Sequence, residues 1–174
     1  MLLTILRIAQ LATVSLVAAC GDQSMKGPEV ELPVALGEKI LADHKRLTFC
    51  MRQQFGLKDD LAPFVRVQTV DLNGDGNPEF LVTNRTHHNC LCGNRTCAGW
   101  LYRNAGGHYE NLLERESSGQ LRLGSVVTNG YVDLIEQSDG RFRVHLSFDA
   151  RRYGRAICER KGDFELRWTK TSCP

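Results

Sequence analysis

Residues 141–148 read Arg-Phe-Arg-Val-His-Leu-Ser-Phe, and this stretch decides the class of fold. Its apolar residues, from Phe142 to Phe148, alternate strictly with polar ones. A period of two places all the apolar side chains on one face of a β-strand. This pattern is typical of an antiparallel sheet that packs on a core with one face and meets solvent with the other. Ser138-Asp139-Gly140, just before the stretch, predicts a hairpin turn.

Other short segments on both sides of this stretch also read as strands, because turn residues separate them. The turn Lys161-Gly162-Asp163 predicts a second hairpin near the C terminus. Together they predict a meandering antiparallel sheet. The predicted strands cover residues 64–70, 79–83, 98–103, 107–113, 125–128, 131–137, 155–160 and 164–168.

Residues 34–55 carry a helical period instead. Leu36, Ile40, Leu47 and Met51 recur at spacings of four and seven residues, and Gly56 is a natural stop. We therefore expect an α+β domain, in which an N-terminal helix packs on a meandering antiparallel β-sheet and disulfides staple the fold. His44 lies on the apolar stripe of this helix, where we expect a half-buried side chain with a partner rather than a ligand.

The chain has 174 residues and a formal net charge of +2. Residues 34–174 are enough for one domain with a sizeable core. With the two charge signs nearly balanced, no strong field directs the protein to nucleic acid or to bulk anionic lipid.

The first 19 residues have the organisation of a cleavable signal. A single positive charge, Arg7, precedes an apolar stretch at 8–17 that is too short and too broken to span a bilayer well. The sequence Val17-Ala18-Ala19-Cys20 resembles the lipobox of bacterial lipoproteins. The resemblance implies cleavage before Cys20, a diacylglycerol on its sulfur and an acyl group on the new amino terminus, which together anchor a protein stably.

The same resemblance implies a lipid-anchored protein on the periplasmic face of the bacterial cell envelope. Gly21 after the lipidated cysteine favours the outer membrane, and residues 20–33 are expected to form a tether. The alternative is an ordinary secretory signal with Cys20 in a disulfide. The count of seven cysteines argues against this alternative, because lipidation of Cys20 leaves an even set of six.

Those six cysteines are expected to form disulfides, since the inferred compartment is oxidising. We expect Cys92–Cys97 to close a turn, Cys158–Cys173 to tie the tail and, by elimination, Cys50–Cys90 to pair. Six cysteines allow fifteen pairings, so other connectivities stay open. The alternative is a zinc or copper site, because His87 and His88 lie next to three of the thiols.

Residues 71–79 read Asp-Leu-Asn-Gly-Asp-Gly-Asn-Pro-Glu. Oxygen side chains at 71, 73 and 75 alternate, and Gly76 permits a sharp turn. Calcium takes six to eight oxygen ligands, so the ligand type and spacing fit this cation. The alternative is a polar hairpin turn without metal. A full EF-hand loop would place a Glu where Val82 stands, and the flanks read as strands rather than helices.

The loop instead resembles the D-x-D-x-D-G-x-x-D calcium loop between strands of FG-GAP and integrin-type propeller blades. The resemblance covers residues 64–83 and implies a structural calcium ion. Because no second acidic loop follows, the multi-blade propeller does not carry over. By this resemblance, the side chains of Asp71, Asn73, Asp75 and Glu79 and the carbonyl of Asn77 are metal ligands.

No catalytic residue is assigned, since phosphate-loop, nucleophile-elbow and zinc-protease motifs are missing from the sequence. The order of segments also resembles a class of small periplasmic proteins of unassigned function. We expect a non-enzymatic binding or structural module with an envelope protein or glycan as partner. The alternatives are an inhibitor of a lysozyme-like hydrolase and an enzyme acting on peptidoglycan or cell-wall glycans. Arg151, Arg152 and Arg155 near Tyr153 are expected to form a solvated edge.

Overall fold

The computed structural model of the chain describes residues 23–25, 27–55, 60–85, 87–93, 96–117, 120–138, 140–162 and 167–173. The predicted signal segment 1–19, Cys20 and Gly56 lie outside the described residues. So do Asp163 and most of the predicted strand 164–168. Of the described residues, 52% lie in strands and 18% in helices.

The described strands form two antiparallel sheets. The five-stranded sheet has the order β2-β3-β4-β5-β6, and the six-stranded sheet has the order β1-β7-β8-β9-β10-β11. The strands are β1 (Gln23–Ser24), β2 (Glu29–Val30), β3 (Val65–Val70), β4 (Glu79–Asn84), β5 (Cys97–Ala105), β6 (His108–Ser117), β7 (Gln120–Thr128), β8 (Tyr131–Ser138), β9 (Phe142–Phe148), β10 (Tyr153–Lys161) and β11 (Trp168–Thr171).

The molecule has three layers: helices, the five-stranded sheet and the six-stranded sheet. Leu81 and Leu101 of the five-stranded sheet contribute to the core between the two sheets, together with Leu134 and Leu146 of the six-stranded sheet. The neighbours of Leu101 on β5 join the helix-side core instead. The five-stranded sheet is therefore covered on both faces, whereas the six-stranded sheet packs with one face, as the alternation in β9 requires.

The expected α+β fold, with one N-terminal helix packed on a meandering sheet, is wrong. Over the described residues the protein is mostly antiparallel β-structure in two sheets, with two short α-helices. The prediction placed all the strands in one meandering sheet. Alternation gives the buried face of a strand, but it does not say which sheet the strand joins.

The predicted single helix at 34–55 is two helices, α1 (Val34–Asp43) and α2 (Lys45–Phe55). His44 breaks the run, because its backbone ψ of 72° lies far from the helical value. The hydroxyl of Thr48 donates a hydrogen bond of 2.6 Å to the Leu41 carbonyl, one of the groups that the break leaves without a helical partner. The apolar stripe is preserved, since both helices contribute side chains to the helix-side core.

The segment assigned as a tether, 20–33, contributes two short strands among its described residues. β1 pairs with β7, and β2 pairs with β3. Met25 lies between these strands and is 5% exposed in the core between the sheets. The described part of this segment is therefore packed on the domain from Gln23 onward.

Candidate functional site

The acidic loop connects β3 to β4 as a hairpin. Gly74 and Gly76 adopt positive φ angles of 72° and 81°, which favour glycine. The two carboxylate oxygens of Asp71 accept hydrogen bonds from the backbone amides of these glycines, at 2.8 and 3.0 Å. The first residue of the loop thus holds the turn closed with its side chain.

The middle of the loop is held in the same way. The Asn73 side-chain oxygen accepts a bond from the Asp75 amide at 3.0 Å, and an Asp75 oxygen accepts one from the Asn77 amide at 2.7 Å. The Asn73 side-chain nitrogen donates to the other Asp75 oxygen at 2.8 Å. These bonds lower the pKa of Asp75, with the bond from the Asn77 amide as the largest cause. Asp75 is therefore ionised at neutral pH.

Glu79 closes the loop and is the one buried charged residue among those described, with 1% of its surface exposed. Its Oε2 atom accepts a hydrogen bond of 2.8 Å from the Leu72 amide. Burial raises the pKa of Glu79, and the negative charges of Asp75 and Asp71 raise it further. Within the described part of the chain Glu79 forms no ion pair. It is a buried carboxyl beside two other carboxylates, an arrangement that a cation would stabilise.

The loop is docked on the six-stranded sheet. The amide of Val132 donates a hydrogen bond of 2.8 Å to the Leu72 carbonyl, and Leu72 itself is 1% exposed in the core between the sheets. The Asn73 side chain donates to the Tyr131 hydroxyl at 3.3 Å. The loop is therefore hydrogen-bonded directly to the start of β8.

The predicted calcium ligands Asp71, Asn73, Asp75, Asn77 and Glu79 all lie in this hairpin. Their donor chemistry fits calcium, because carboxylate and amide oxygens are its usual ligands. Across the described ranges, however, no three or more His, Cys, Asp or Glu side chains form a group that could hold a metal ion. The Asp71 and Asp75 oxygens are directed at loop amides. Calcium binding requires these oxygens to converge, using the lone pairs that the amide bonds leave available.

The cysteines pair as Cys50–Cys90, Cys92–Cys97 and Cys158–Cys173, the three pairs given by the sequence analysis. These bridges use all the thiols that a zinc or copper site at 87–97 would need. His87 Nε2 lies 3.3 Å from the Gly93 carbonyl, and His88 Nδ1 accepts a bond from the Cys90 amide. Both histidines therefore help to hold the disulfide-closed turn.

A polar cluster lies where the helix break meets the five-stranded sheet. The buried Tyr102 hydroxyl donates to Asp43 at 3.0 Å and accepts a bond from the Asn111 side chain at 3.3 Å. His44 Nδ1 lies 3.2 Å from a Glu114 oxygen, and its ring lies 5.2 Å from that of Trp100. Burial, with the nearby charge of Asp43, raises the pKa of Tyr102 well above its ordinary range.

Asp43, His44, Trp100 and Glu114 line a cavity of about 510 Å³, which no sequence motif predicted. His44 was recognised only as a side chain expected to have a partner. Glu114 lies 70 positions later, and its alignment with His44 depends on the break between the helices and the register of β6. A sequence signal could have come only from His44 itself, a polar residue on an otherwise apolar stripe.

Arg151, Arg152 and Arg155 are all exposed, as expected for a solvated edge, whereas Tyr153 is buried. The ring of Tyr153 is 4% exposed and its hydroxyl donates to the Val132 carbonyl at 2.7 Å. Arg151 and Arg152 lie exposed in the turn between β9 and β10, where their amides donate to Asp149.

Comparisons of the chain with protein-family models, with curated proteins and with solved structures find no match. Across the described residues, neither α1 nor α2 is long and apolar enough to cross a membrane.

Proposed function

We propose that this chain is a lipid-anchored protein of the bacterial cell envelope, held on the periplasmic face of the outer membrane through Cys20. Its folded domain is a non-enzymatic binding or structural module, and calcium stabilises its acidic hairpin. The anchor rests on the lipobox-like sequence before Cys20. The calcium claim rests on one structural observation: Glu79 is a buried carboxyl beside Asp71 and Asp75, and no cationic side chain of the described residues pairs with it.

A structural role for calcium follows from the position of the loop. The oxygens of Asp71 and Asp75 bond to amides within the hairpin, so they do not face the cavity beside His44. The docking of Leu72 on Val132 couples the loop to the core between the sheets. Calcium at this loop would therefore stabilise the packing between the two sheets, and loss of calcium would weaken that packing.

The test is the thermal stability of the chain without residues 1–20, in EDTA and in excess calcium. Extracellular calcium modules bind with dissociation constants of about 10⁻⁴ to 10⁻³ M. At about 10 mM calcium, mass action then contributes about 1.4–2.7 kcal/mol. For a domain of this size that is a rise in the melting temperature of roughly 3–10 °C.

Two variants make the result specific. Asp75→Asn removes a loop charge and should abolish most of the calcium response, whereas Glu38→Gln changes an exposed carboxylate on α1 and should preserve it. Equal melting temperatures in EDTA and calcium would disprove the calcium claim. Metabolic labelling with a tagged fatty acid tests the anchor separately. The label should appear on the parent chain and disappear with Cys20→Ala.

A further inference from the structure

The N-terminal segment is fixed to one edge of the six-stranded sheet. In the antiparallel pairing of β1 with β7, Gln23 lies opposite Leu123 and Ser24 opposite Arg122. Met25 follows at once and is buried in the core between the sheets. An extended chain spans at most about 3.3–3.6 Å per residue, so Cys20 lies within roughly 11 Å of Gln23. A lipid on Cys20 would therefore hold this edge close to the bilayer.

The direction of β1 shows at which end of that edge the chain from Cys20 enters the sheet. Because β1 and β7 are antiparallel, the chain enters β1 from the C-terminal end of β7. Val126 and Val127 lie at that end and are 57% and 62% exposed. They follow Leu123 by three and four residues, beyond the described part of the β1 pairing. Two exposed β-branched apolar side chains thus stand where the anchored chain enters the fold.

A charged turn lies at the same end of the sheet as this pair. The Asn129 side chain, just after β7, donates a hydrogen bond of 2.8 Å to the Phe148 carbonyl. This bond brings the exposed Arg151 and Arg152 of the next turn to the same end of the sheet. Valines and arginines at the same end of a sheet suit the boundary between acyl chains and headgroups, where apolar groups are buried and cations meet lipid phosphates.

The acidic loop also reaches this end, through the bond between Val132 and the Leu72 carbonyl. Its carboxylates offset the charge of the arginines, so net charge alone does not attract this surface to a membrane. The short covalent connection between Cys20 and Gln23 favours membrane contact instead. It makes contact with the bilayer an intramolecular event at high effective concentration.

We propose that, in the lipidated protein, Val126 and Val127 rest in the interfacial layer of the membrane that holds Cys20. The six-stranded sheet then meets the bilayer at the end where β7 finishes, and the helices lie in the layer on the other face of the five-stranded sheet. This inference rests on the proposed lipidation of Cys20. The occupant of the patch is the bilayer itself, selected by the short length of chain between Cys20 and Gln23.

The experiment uses the lipidated chain, reconstituted in vesicles of phosphatidylethanolamine and phosphatidylglycerol with and without bromine on the acyl chains. Val127→Trp places a fluorophore on the patch. The matched control is Phe49→Trp on α2, where the native residue is 63% exposed in the helix layer. The parent chain gives the background of its two native tryptophans. If circular dichroism shows that Val127→Trp is misfolded, Val126→Trp takes its place.

We expect a blue-shifted emission from Val127→Trp that brominated lipid quenches, and an unshifted, unquenched emission from Phe49→Trp. Quenching of Phe49→Trp instead, or of neither variant, overturns the orientation while the lipid anchor stands. Intact mass gives the remaining readout. A mature chain without acyl groups overturns both the anchor and the orientation, so the two failures are distinguishable.

Discussion

Removal of the Cys50–Cys90 bridge is predicted to destabilise the fold more than removal of Cys92–Cys97. The first bridge closes 40 residues of chain and the second closes 5. If a bridge acts by restricting the unfolded chain, its stabilisation grows with the logarithm of that number. The bridges then contribute about 3.9 and about 2.1 kcal/mol, a difference of about 1.8 kcal/mol.

The two bridges differ in how deeply their cysteines are buried, and this difference acts against the predicted order of stability. Cys92 is 6% exposed in the helix-side core, whereas Cys50 and Cys90 are both half-buried. Truncation to alanine therefore removes more buried contact at Cys92, which acts against the predicted order. If Cys50→Ala/Cys90→Ala is still the less stable variant, the length of the closed loop is the dominant effect.

The assay is equilibrium unfolding in urea, followed by circular dichroism, for the two double variants and the parent chain. A difference of about 1.8 kcal/mol corresponds to roughly 4–7 °C in melting temperature for a domain of this size. The dependence of the unfolding free energy on urea concentration should be weaker for the parent than for either variant, because a cross-linked unfolded chain exposes less surface. Equal stability of the two variants, or a lower stability of Cys92→Ala/Cys97→Ala, would refute the reasoning.

Two further predictions concern the loop and the polar cluster. A raised folded-state pKa means that the stability due to Glu79 is present below its ordinary value of 4.5 and is lost as the pH rises through the raised value. In EDTA, Glu79→Gln should therefore be more stable than the parent at neutral pH. Melting curves taken between pH 4.5 and neutral pH test this. A less stable variant would contradict the argument that burial of the Glu79 charge is unfavourable. Tyr102→Phe should cost about 1.5 kcal/mol in urea unfolding, because Asp43 and Asn111 lose a buried partner. Tyr109→Phe is its control, at a half-buried β6 ring that packs on Phe80 outside the cluster, and equal losses from the two variants would show that the cluster adds no stability.

The strands were predictable because the alternation of apolar and polar residues along a strand shows which of its faces is buried. β9 was predicted at 141–148 and lies at Phe142–Phe148, since four alternating apolar side chains fix its buried face. The helical stripe from Leu36 to Met51 was also predicted correctly as apolar. The break at His44 was missed, because a helical period continues across one non-helical residue when both helices pack on the same surface.

The division into two sheets was not predictable in this way. Trp100, Leu101 and Tyr102 are all buried, because the helices cover one face of β5 and the six-stranded sheet covers the other. A run without alternation does not say what covers each face. The cluster of Asp43, Tyr102 and Glu114 depends on this covering, so it was missed for the same reason.

The sequence by itself determined the local features: the strand faces, the acidic hairpin with its glycines, and a set of cysteines suited to three bridges. These features depend on residues close together in the chain, where side-chain type and backbone conformation are directly linked. Only the tertiary structure decided which strands share a sheet, how β1 approaches β7 and which carboxyl of the loop is buried. Those outcomes depend on contacts between distant segments, such as Val132 with Leu72, that no local pattern encodes.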